Sequence, residues 1–502
     1  MKELDEIKKH LQKEAAFADA SRIVSFDQST VCPEDAVEEK NEIIATLEQQ
    51  AFLLRRDEGF LRNVRKVYEQ KETLDEWDRA MVEQLYRNDL MERNISEERA
   101  YEYSLIEKKA FVDWVQAKEA SDFSLFRESL SKVIEINRER SAMRVVAPEE
   151  TWIKETYDRL LDRYERGMNV ETIDPCFAEC AERLSALLSR IKNSKKKIRI
   201  DFLSRHVSVD AQRKVTEYIM ELQGFDPKKG TYSTSEHAYT ERLSPHDIRI
   251  TTHIYPDCFL SNLYTVLHET GHALFDQRQP EKNNEYFLYD GKTFGMHESV
   301  SRFYENIVGR SEAFLNALYP KLKELMPEAL SDVSPRELYE AANLVQPSLI
   351  RVEADEVTYA FHIIIRYELE KQIFAGMLTV DALPAAWNDL YEKYLGVRPD
   401  NDRDGVLQDV HWSSDFGYFP AYLLGNFYNA MYVGRMKQEI DFDGALAAGD
   451  LTAVNDWMTK NVFEKADRLS PEAWLFALTG RSVTADDFMT YLEEKYGALY
   501  QL

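Results

Sequence analysis

Apolar residues recur at three- and four-residue spacing along most of the chain, from the N-terminus onwards. This spacing places them on one face of an α-helix, and Lys40–Leu54 and Leu74–Leu90 are clear examples. Ser25–Glu34 interrupts the pattern with polar residues and Pro33, which favours a loop or a helix start. Helical spacing returns from Ser301, without an internal repeat of fixed period. The pattern therefore predicts a mainly α-helical protein.

β-Branched and apolar residues cluster in three short stretches near the middle of the chain. Lys197–Leu203 and Ile248–Ile254 predict strands, and Tyr286–Tyr289 is a weaker candidate. Together they predict one small β-sheet within the helical body. Because no run of Gly, Ser or Pro marks a boundary, residues 1–502 are expected to form a single domain.

Acidic residues outnumber basic ones by 89 to 63, which gives a formal net charge of -26. A surface of this sign repels phosphate backbones and anionic lipids, so nucleic-acid and membrane-surface binding are not expected. Phe416–Gly434 carries no charge and approaches the length of a bilayer span. Pro420 and Gly425 interrupt it, which favours a buried helix or the wall of a groove.

The chain has four cysteines, too few for a disulfide framework at this length. Its start, Met1–Glu14, is charged throughout and lacks the apolar segment of a signal peptide. These features predict a cytoplasmic protein in which Cys176 and Cys180 are buried structural thiols.

Histidines concentrate in one part of the chain, since six of the ten lie between His237 and His297. That part contains the HExxH pattern at residues 268–272, within an apolar run of helical spacing. His268 and His272 lie one helical turn apart, so both imidazoles can bind one tetrahedral Zn²⁺. Glu269 points aside from them and can take a proton from the attacking water. The pattern predicts a metal-dependent hydrolase.

Such a site needs a third protein ligand, and spacing excludes two classes. The metzincin pattern requires Gly and His where this chain has Phe275 and Arg278. Thermolysin-like and related aminopeptidase sites would need a Glu where Gly291 and Lys292 stand. A more distant carboxylate is therefore required.

Glu298, in the next segment of helical character, is the predicted third ligand. His297 is its nearest rival, but neighbours on a helix diverge by about 100°, so only one of the two can face the metal. Asp276 lies one turn beyond His272, where a short carboxylate is more often a surface group or a partner of a ligand.

Five motifs, in order along the chain, give a resemblance to a known family. The chain resembles the carboxypeptidase Taq family of metallocarboxypeptidases, which is related in fold to neurolysin and angiotensin-converting enzyme. Phe26–Pro33 is also similar to the N-terminal WDQ-to-Pro stretch of the family. The motifs are DxRxT at 247–251, HExxH at 268–272, HES at 297–299, IRxxAD at 350–355 and GxxQDxHW at 405–412.

The resemblance implies Zn²⁺ held by His268, His272 and Glu298, with Glu269 as general base and acid. Co²⁺ or Mn²⁺ can substitute, because nitrogen and oxygen ligands select metals weakly. It also implies release of single residues from free peptide C-termini, a homodimer, and a helical body split by a long groove. Two helical subdomains flanking that groove are the alternative to one undivided domain.

Two departures from the family concern the groove. The family's HPF reads His237-Ala238-Tyr239 here, which keeps a substrate-binding His and an aromatic ring but loses a Pro-fixed turn. HES is followed by Val300, where the family usually has Gln. Neither departure removes a metal ligand, so an altered specificity is expected.

A donor to the oxyanion is expected beside the metal. Tyr359 is the first candidate, because its context resembles that of the oxyanion-stabilising Tyr in converting-enzyme relatives. Tyr418 and Tyr422 are its rivals.

Two arginines and one histidine complete the predicted substrate site. Arg351 is expected to bind the terminal carboxylate of the substrate, with Asp355 as its structural partner otherwise. Arg249 is expected to pair with Asp247 or to lie at the rim of the groove. His411 either contacts substrate or is a core histidine.

Two other classes of function stay open at this point. A helical scaffold without activity would be expected to lose at least one of the three predicted ligands or the general base. All four are present, namely His268, Glu269, His272 and Glu298. An endo-acting zinc oligopeptidase would share the whole metal site and differ only in whether the groove is closed at one end.

Overall fold

The computed structural model describes residues 1–289, 293–465 and 468–502. Helices dominate it, which confirms the mainly α-helical fold. The helices before the β-sheet are α1 (Lys2–Thr30), α2 (Val37–Arg55), α3 (Glu58–Tyr68), α4 (Glu76–Glu92), α5 (Glu97–Ala120), α6 (Ser124–Met143), α7 (Thr156–Tyr164), α8 (Val170–Asn193) and α9 (Val209–Gln223).

The strands follow α9, and the remaining helices complete the chain. The strands are β1 (Gly230–Thr234), β2 (Thr240–Ser244) and β3 (Asp247–Thr252). The helices after them are α10 (Phe259–Gln277), α11 (Glu281–Glu285), α12 (Phe294–Arg302), α13 (Glu312–Leu325), α14 (Pro327–Leu330), α15 (Pro335–Ala342), α16 (Tyr359–Phe374), α17 (Leu383–Leu395), α18 (Pro420–Glu439), α19 (Phe442–Ala448), α20 (Thr452–Met458), α21 (Pro471–Thr479) and α22 (Asp486–Tyr500), with π-helical segments at Phe303–Val308 and Thr459–Phe463.

The small sheet has the order β1-β3-β2, with β3 parallel to β1 and antiparallel to β2. Ile248 and Ile250 alternate along β3 and are both buried, and β3 packs against α10. The strand predicted at Ile248–Ile254 is therefore confirmed, although it starts one residue earlier and ends two residues earlier, at Thr252. Through β2 and β3, the sheet lies directly beside the helix that carries the HExxH sequence.

The other two predicted strands were wrong. Lys197–Leu203 is irregular: Phe202 is buried, while Ile200 is exposed and has no neighbouring strand. At Tyr286–Tyr289 the chain turns through Phe287, which has a φ of 55°, and Leu288 enters an apolar cluster. Alternation predicts a strand only where a partner strand is available to pair with it.

Part of the predicted loop at Ser25–Glu34 is helical, because α1 continues to Thr30. Phe26 is buried there, and its ring centroid lies 6.0 Å from that of Tyr239. The hydroxyl of Ser29 donates to the carbonyl oxygen of Phe26 at 3.1 Å. With Phe26 buried, α1 thus continues past Ser25 into a segment whose sequence lacks the apolar spacing of a helix.

The described residues form separate apolar clusters, and a groove opens beside the N-terminal one. One cluster joins α1, α3 and α4 and includes Ile7, Val64 and Val82. The larger cluster contains α10, α12, α16 and α18. A groove of about 790 Å³ lies between residues of α1, α2 and α4 on one side and Tyr164 and Phe294 on the other.

The uncharged segment Phe416–Gly434 forms most of α18, which is buried along most of its length. This confirms the predicted buried helix. Across the described parts of the chain, we find no helix with both the length and the apolar character needed to cross a membrane.

Candidate metal centre and substrate groove

α10 carries the HExxH sequence through the interior of the protein, against α9, β3 and α12. On one face of it the ring centroids of His268 and His272 lie 4.9 Å apart. Gly271 lies between them in the chain, and a Cβ there would come within 3.0 Å of Ser301 Cα. The absence of a side chain at Gly271 therefore lets α12 approach α10 closely.

This approach brings Glu298 of α12 to the two histidines. Glu298 Oε2 lies 3.8 Å from His268 Nε2 and 3.6 Å from His272 Nε2. Ligand atoms of the three residues lie within 4.8 Å of one another. Two imidazole nitrogens and one carboxylate form the donor set of a catalytic zinc site with one coordination position left open. The side chains present therefore fit the metal that the spacing predicts.

A second carboxylate orients His268. Glu305 Oε2, in the π-helical segment after α12, lies 3.0 Å from His268 Nδ1, which leaves Nε2 facing Glu298. Such a contact fixes the tautomer and the ring orientation of a metal-binding histidine. Arg302 donates from Nε to Glu298 Oε1 at 2.8 Å and from Nη1 to Glu305 Oε2 at 3.2 Å. One guanidinium therefore holds both carboxylates in place.

The charge state of these carboxylates follows from their neighbours. Burial favours the neutral form of Glu298, but His268 and Arg302 hold its pKa well below the usual range. Burial also favours the neutral form of Glu305, but Arg302 and His268 lower the pKa of this carboxyl group to about 2. Both carboxylates are therefore ionised at neutral pH, as a metal ligand and its partner must be.

Glu269 lies next to the ligands without joining them. Its side chain is buried, and Thr240 Oγ1 of β2 lies 2.7 Å from Glu269 Oε2 and 2.9 Å from its backbone oxygen. The edge of the sheet thus fixes the carboxylate that the sequence predicts as general base. This contact gives the small sheet a direct role in positioning the site.

The start of α12 is anchored by a buried carboxylate from another part of the chain. Glu165, just after α7, accepts from the N–H of Gly295 at 2.7 Å, from Thr293 Oγ1 at 2.9 Å and from the hydroxyl of Tyr428 at 2.9 Å. These contacts satisfy donors at the N-terminus of the helix that carries Glu298. Burial raises the pKa of Glu165 to about 7, although the three donors act to lower it.

This raised pKa makes stability depend on pH. A carboxyl group with a folded pKa near 7 and an unfolded pKa near 4.3 binds more protons when folded, so stability falls as pH rises between these values. Glu165→Gln keeps the shape, and its amide can still pair with Gly295 and the two hydroxyls. From pH 5 to pH 8, we expect the free energy of unfolding of the unmodified protein to fall by about 2–4 kcal/mol relative to the variant. Urea unfolding across this range measures it, and parallel pH profiles would exclude Glu165 as the titrating group.

Arg351 is buried and already has a partner, but not the predicted one. Its Nε and Nη2 donate to Asp409 Oδ1 at 3.1 and 2.8 Å. The expectation of Asp355 as partner is wrong, because Asp355 accepts from the N–H groups of Val357 and Thr358 and caps that turn instead. The spacing of IRxxAD could not predict this pair, because Arg351 and Asp409 lie 58 residues apart in the chain.

Asp409 pairs with two arginines, which leaves one positive charge in this part of the protein. Arg366 donates from Nε to Asp409 Oδ2 at 2.7 Å, while Arg351 holds Oδ1. His411 follows two residues later, and its ring centroid lies 5.2 Å from that of Tyr418. Burial lowers the pKa of His411 to about 4, and the two arginines act in the same direction against Asp409. His411 is therefore neutral at pH 7, and the excess charge stays with the arginines.

The three tyrosines predicted as oxyanion donors lie near one another. Tyr359 is buried, and its hydroxyl accepts from Arg351 Nη1 at 3.4 Å. Tyr418 and Tyr422 are half-buried, with ring centroids 5.3 Å apart. Burial raises the pKa of Tyr418 to about 12, so its hydroxyl keeps its proton and can donate. The structure places all three within one region, since the ring centroids of Tyr359 and Tyr422 lie 6.5 Å apart.

Arg249 and His237 lie on the sheet side of the site. Arg249 holds Asp247 through two parallel hydrogen bonds of 2.9 and 2.8 Å, and its guanidinium lies over the ring of Phe26. His237 is exposed in the connection between β1 and β2. In the altered motif, Tyr239 forms a short hydrogen bond with the hydroxyl of Ser29 in α1. The replacement of Phe by Tyr therefore adds a polar contact between the sheet and the N-terminal helix.

Sequence reasoning missed three residues of the site: Glu305, Arg302 and Thr240. Glu305 lies seven residues after Glu298, two helical turns on, so its periodic spacing within an apolar run was an available signal. Arg302 lies one turn from Glu298 and was likewise available. Thr240 carried no such signal, since its contact with Glu269 depends on how the sheet packs on α10.

Comparison with known proteins agrees with this geometry. The family model described as Carboxypeptidase Taq (M32) metallopeptidase matches residues 6–496. The chain belongs to this family. It is therefore a metallocarboxypeptidase, a hydrolase that acts on peptides, and the family implies a bound metal ion. The family resemblance, the enzyme class and the mainly α-helical fold predicted from the sequence are all confirmed.

Relatives match the chain over nearly its whole length. Thermostable carboxypeptidase 1 of Thermus thermophilus is 35% identical, with 97% of each chain covered. Carboxypeptidase 1 of Bacillus subtilis is 33% identical over 98% of this chain and 97% of its own. The crystal structure of the M32 carboxypeptidase from Deinococcus radiodurans R1 has a TM-score of 0.95 at 30% identity and covers both chains completely.

Proposed function

We propose that this enzyme is a zinc-dependent carboxypeptidase that releases single residues from free peptide C-termini. The observation that supports it best is the convergence of His268, His272 and Glu298 on one point, one helical turn from Phe294 at the end of the groove. When bound there, Zn²⁺ would lower the pKa of a water molecule toward 7 and polarise the scissile carbonyl. Co²⁺ or Mn²⁺ are expected to substitute.

Glu269 is the proposed general base and acid. Glu269 follows His268 directly in the chain, and a hydrogen bond from Thr240 orients its carboxylate. The carboxylate can therefore accept a proton from the attacking water. The same group can then return the proton to the departing amine. Tyr359 is the proposed donor to the developing oxyanion. It lies close to the metal ligands, because the guanidinium of Arg302, which pairs with Glu298, is 4.2 Å from the centre of the Tyr359 ring.

Removal and return of the metal test this function. We expect a chelator to abolish peptide trimming and one equivalent of Zn²⁺ per chain to restore it, with single amino acids as the products seen by mass spectrometry. Activity that survives complete removal of bound metal would contradict the proposal. The homodimer and the cytoplasmic location stay predictions from the sequence.

Arg351 is proposed to bind the terminal carboxylate of the substrate. Arg351→Ala leaves Asp409 paired with Arg366, so the buried carboxylate keeps a partner and the variant should fold. We expect KM for a free-acid peptide to rise about 10–100-fold, as lost charge-assisted hydrogen bonds predict, with zinc content unchanged.

Arg249→Ala is the matched control, because Arg249 and Asp247 form a one-to-one ion pair, whereas Arg351 shares Asp409 with Arg366. It should keep the preference for a free-acid peptide over its amide. Loss of that preference in Arg249→Ala, with an unchanged KM in Arg351→Ala, would move carboxylate recognition to Arg249.

A further inference from the structure

A small pocket rich in arginine opens beside the groove. It has a volume of about 180 Å³. Among the described residues, its charged side chains are those of five arginines and one glutamate, in a chain whose net charge is -26. We call it the arginine pocket, and these residues are Arg56, Arg140, Arg144, Arg159, Arg163 and Glu92.

Most of these arginines have a carboxylate partner. Ion pairs at 4 Å or less neutralise four of the five, and Arg144 has two carboxylates, one of them shared with Arg87. The pairs are Arg56–Glu92 at 3.6 Å, Arg140–Glu107 at 2.8 Å, Arg163–Asp415 at 3.0 Å, Arg144–Glu150 at 2.8 Å, Arg144–Asp162 at 2.6 Å and Arg87–Asp162 at 3.0 Å.

Arg159 has no such carboxylate within the described ranges of the chain; its guanidinium donates to the backbone oxygen of Ser141. Its Nε is buried without an acceptor, and so is the Nε of Arg144, a residue that is only 6% exposed. Arg159 itself is half-buried, and a bound anion would supply the counter-charge that its guanidinium lacks. Among the described residues, the arginine pocket therefore has one positive charge that no carboxylate neutralises.

The arginine pocket is continuous with the groove, because Arg56, Glu92 and Arg163 line both. The groove then extends to Tyr164 and Phe294, whose ring centroids lie 5.3 Å apart. Phe294 is the first residue of α12, and Glu298 follows one turn later. The groove therefore extends from the arginine pocket to within one helical turn of Glu298.

We propose that the arginine pocket is an anion subsite of the groove, which binds a carboxylate side chain of the peptide substrate upstream of the residue released. This inference rests on the proposed carboxypeptidase function. Because only one residue lies beyond the bond that is cut, only the upstream part of a substrate is long enough to reach the pocket. A planar guanidinium pairs well with a carboxylate through parallel hydrogen bonds.

The distance sets which residue is recognised. Phe294 precedes Glu298 by one turn of α12, and its ring contacts that of Tyr164, which follows Arg163 of the arginine pocket. Along this path, the arginine pocket lies on the order of 15–20 Å from Glu298. An extended peptide advances about 3.3 Å per residue, so the recognised side chain lies about five residues upstream of the cut. The predicted substrate class is peptides with Asp or Glu near that position.

A set of ten-residue peptides tests the subsite. One Glu is moved along an otherwise neutral sequence, and each peptide has a twin with Gln at the same place. For Glu about five residues upstream, we expect kcat/KM to exceed that of the Gln twin about tenfold or more, through KM, and to lose this advantage at high salt. Arg159→Gln should remove the preference, and Arg213→Gln, a control at an exposed arginine of α9, should keep it.

Two further measurements separate the outcomes. A blocked dipeptide cannot reach the arginine pocket, so Arg159→Gln should hydrolyse it at the unmodified rate; failure of every enzyme on every peptide would instead refute the carboxypeptidase function itself. Equal rates on all Glu and Gln twins, or a preference that persists in Arg159→Gln, would overturn the subsite. A rise in Tm with inorganic phosphate that Arg159→Gln abolishes, without any peptide preference, would assign the pocket to a free anion and also overturn the peptide assignment.

Discussion

Replacing Glu298 with Ala is expected to strip the metal from the protein. Glu298 Oε2 lies within 4 Å of both histidine Nε2 atoms, and its charge is maintained by Arg302. Loss of a partner outside the ligand set typically costs about 10–100-fold in metal affinity, so loss of a direct ligand should exceed that range. Elemental analysis after dialysis, followed by titration with Zn²⁺, measures the change.

Two variants calibrate this loss. His297→Ala removes the neighbouring rival, which contributes no atom to the converging ligand group of described residues, and it should retain the metal. Glu305→Gln removes the charge that orients His268 and should give an intermediate affinity. Tight stoichiometric zinc in Glu298→Ala would mean that another residue is the third ligand.

Replacing Glu269 with Gln is expected to abolish turnover while the metal and the fold remain. The amide keeps the size of the side chain and can still interact with Thr240 Oγ1, but it cannot accept the proton of the attacking water. General-base assistance contributes about 10²–10⁴-fold, so kcat should fall by that factor. Steady-state kinetics beside elemental analysis separate catalysis from metal binding.

Thr240→Val is the graded comparison, because it removes the hydrogen bond to Glu269 but leaves the carboxylate. We expect a smaller fall in kcat with unchanged zinc. A Glu269→Gln enzyme with more than about a tenth of the original kcat would rule out Glu269 as the general base.

The ligand set could be proposed from the sequence because its information is local. His268 and His272 lie one turn apart on a strongly apolar helix, and only one of His297 and Glu298 can face the same point. The structure places Glu298 there, and Gly271 explains why the two helices come close enough. Helix content was predictable for the same reason, since apolar spacing records which face is buried.

Contacts between residues far apart in the chain could not be predicted from local spacing. Arg351 pairs with Asp409 rather than with the nearby Asp355, and nothing in the spacing of either motif specifies that choice. Lys197–Leu203 has strand-like composition but no strand to pair with, so it stays irregular. Such features depend on tertiary packing, which overrides local propensity.

The direction of cleavage is tested most directly by one peptide and its C-terminally amidated twin, incubated with the zinc-loaded enzyme and followed by mass spectrometry. We expect stepwise loss of single residues from the C-terminus of the free-acid peptide, while the amide stays intact. Equal cleavage of the two peptides, or internal fragments from either, would contradict a carboxypeptidase and identify an endo-acting zinc oligopeptidase.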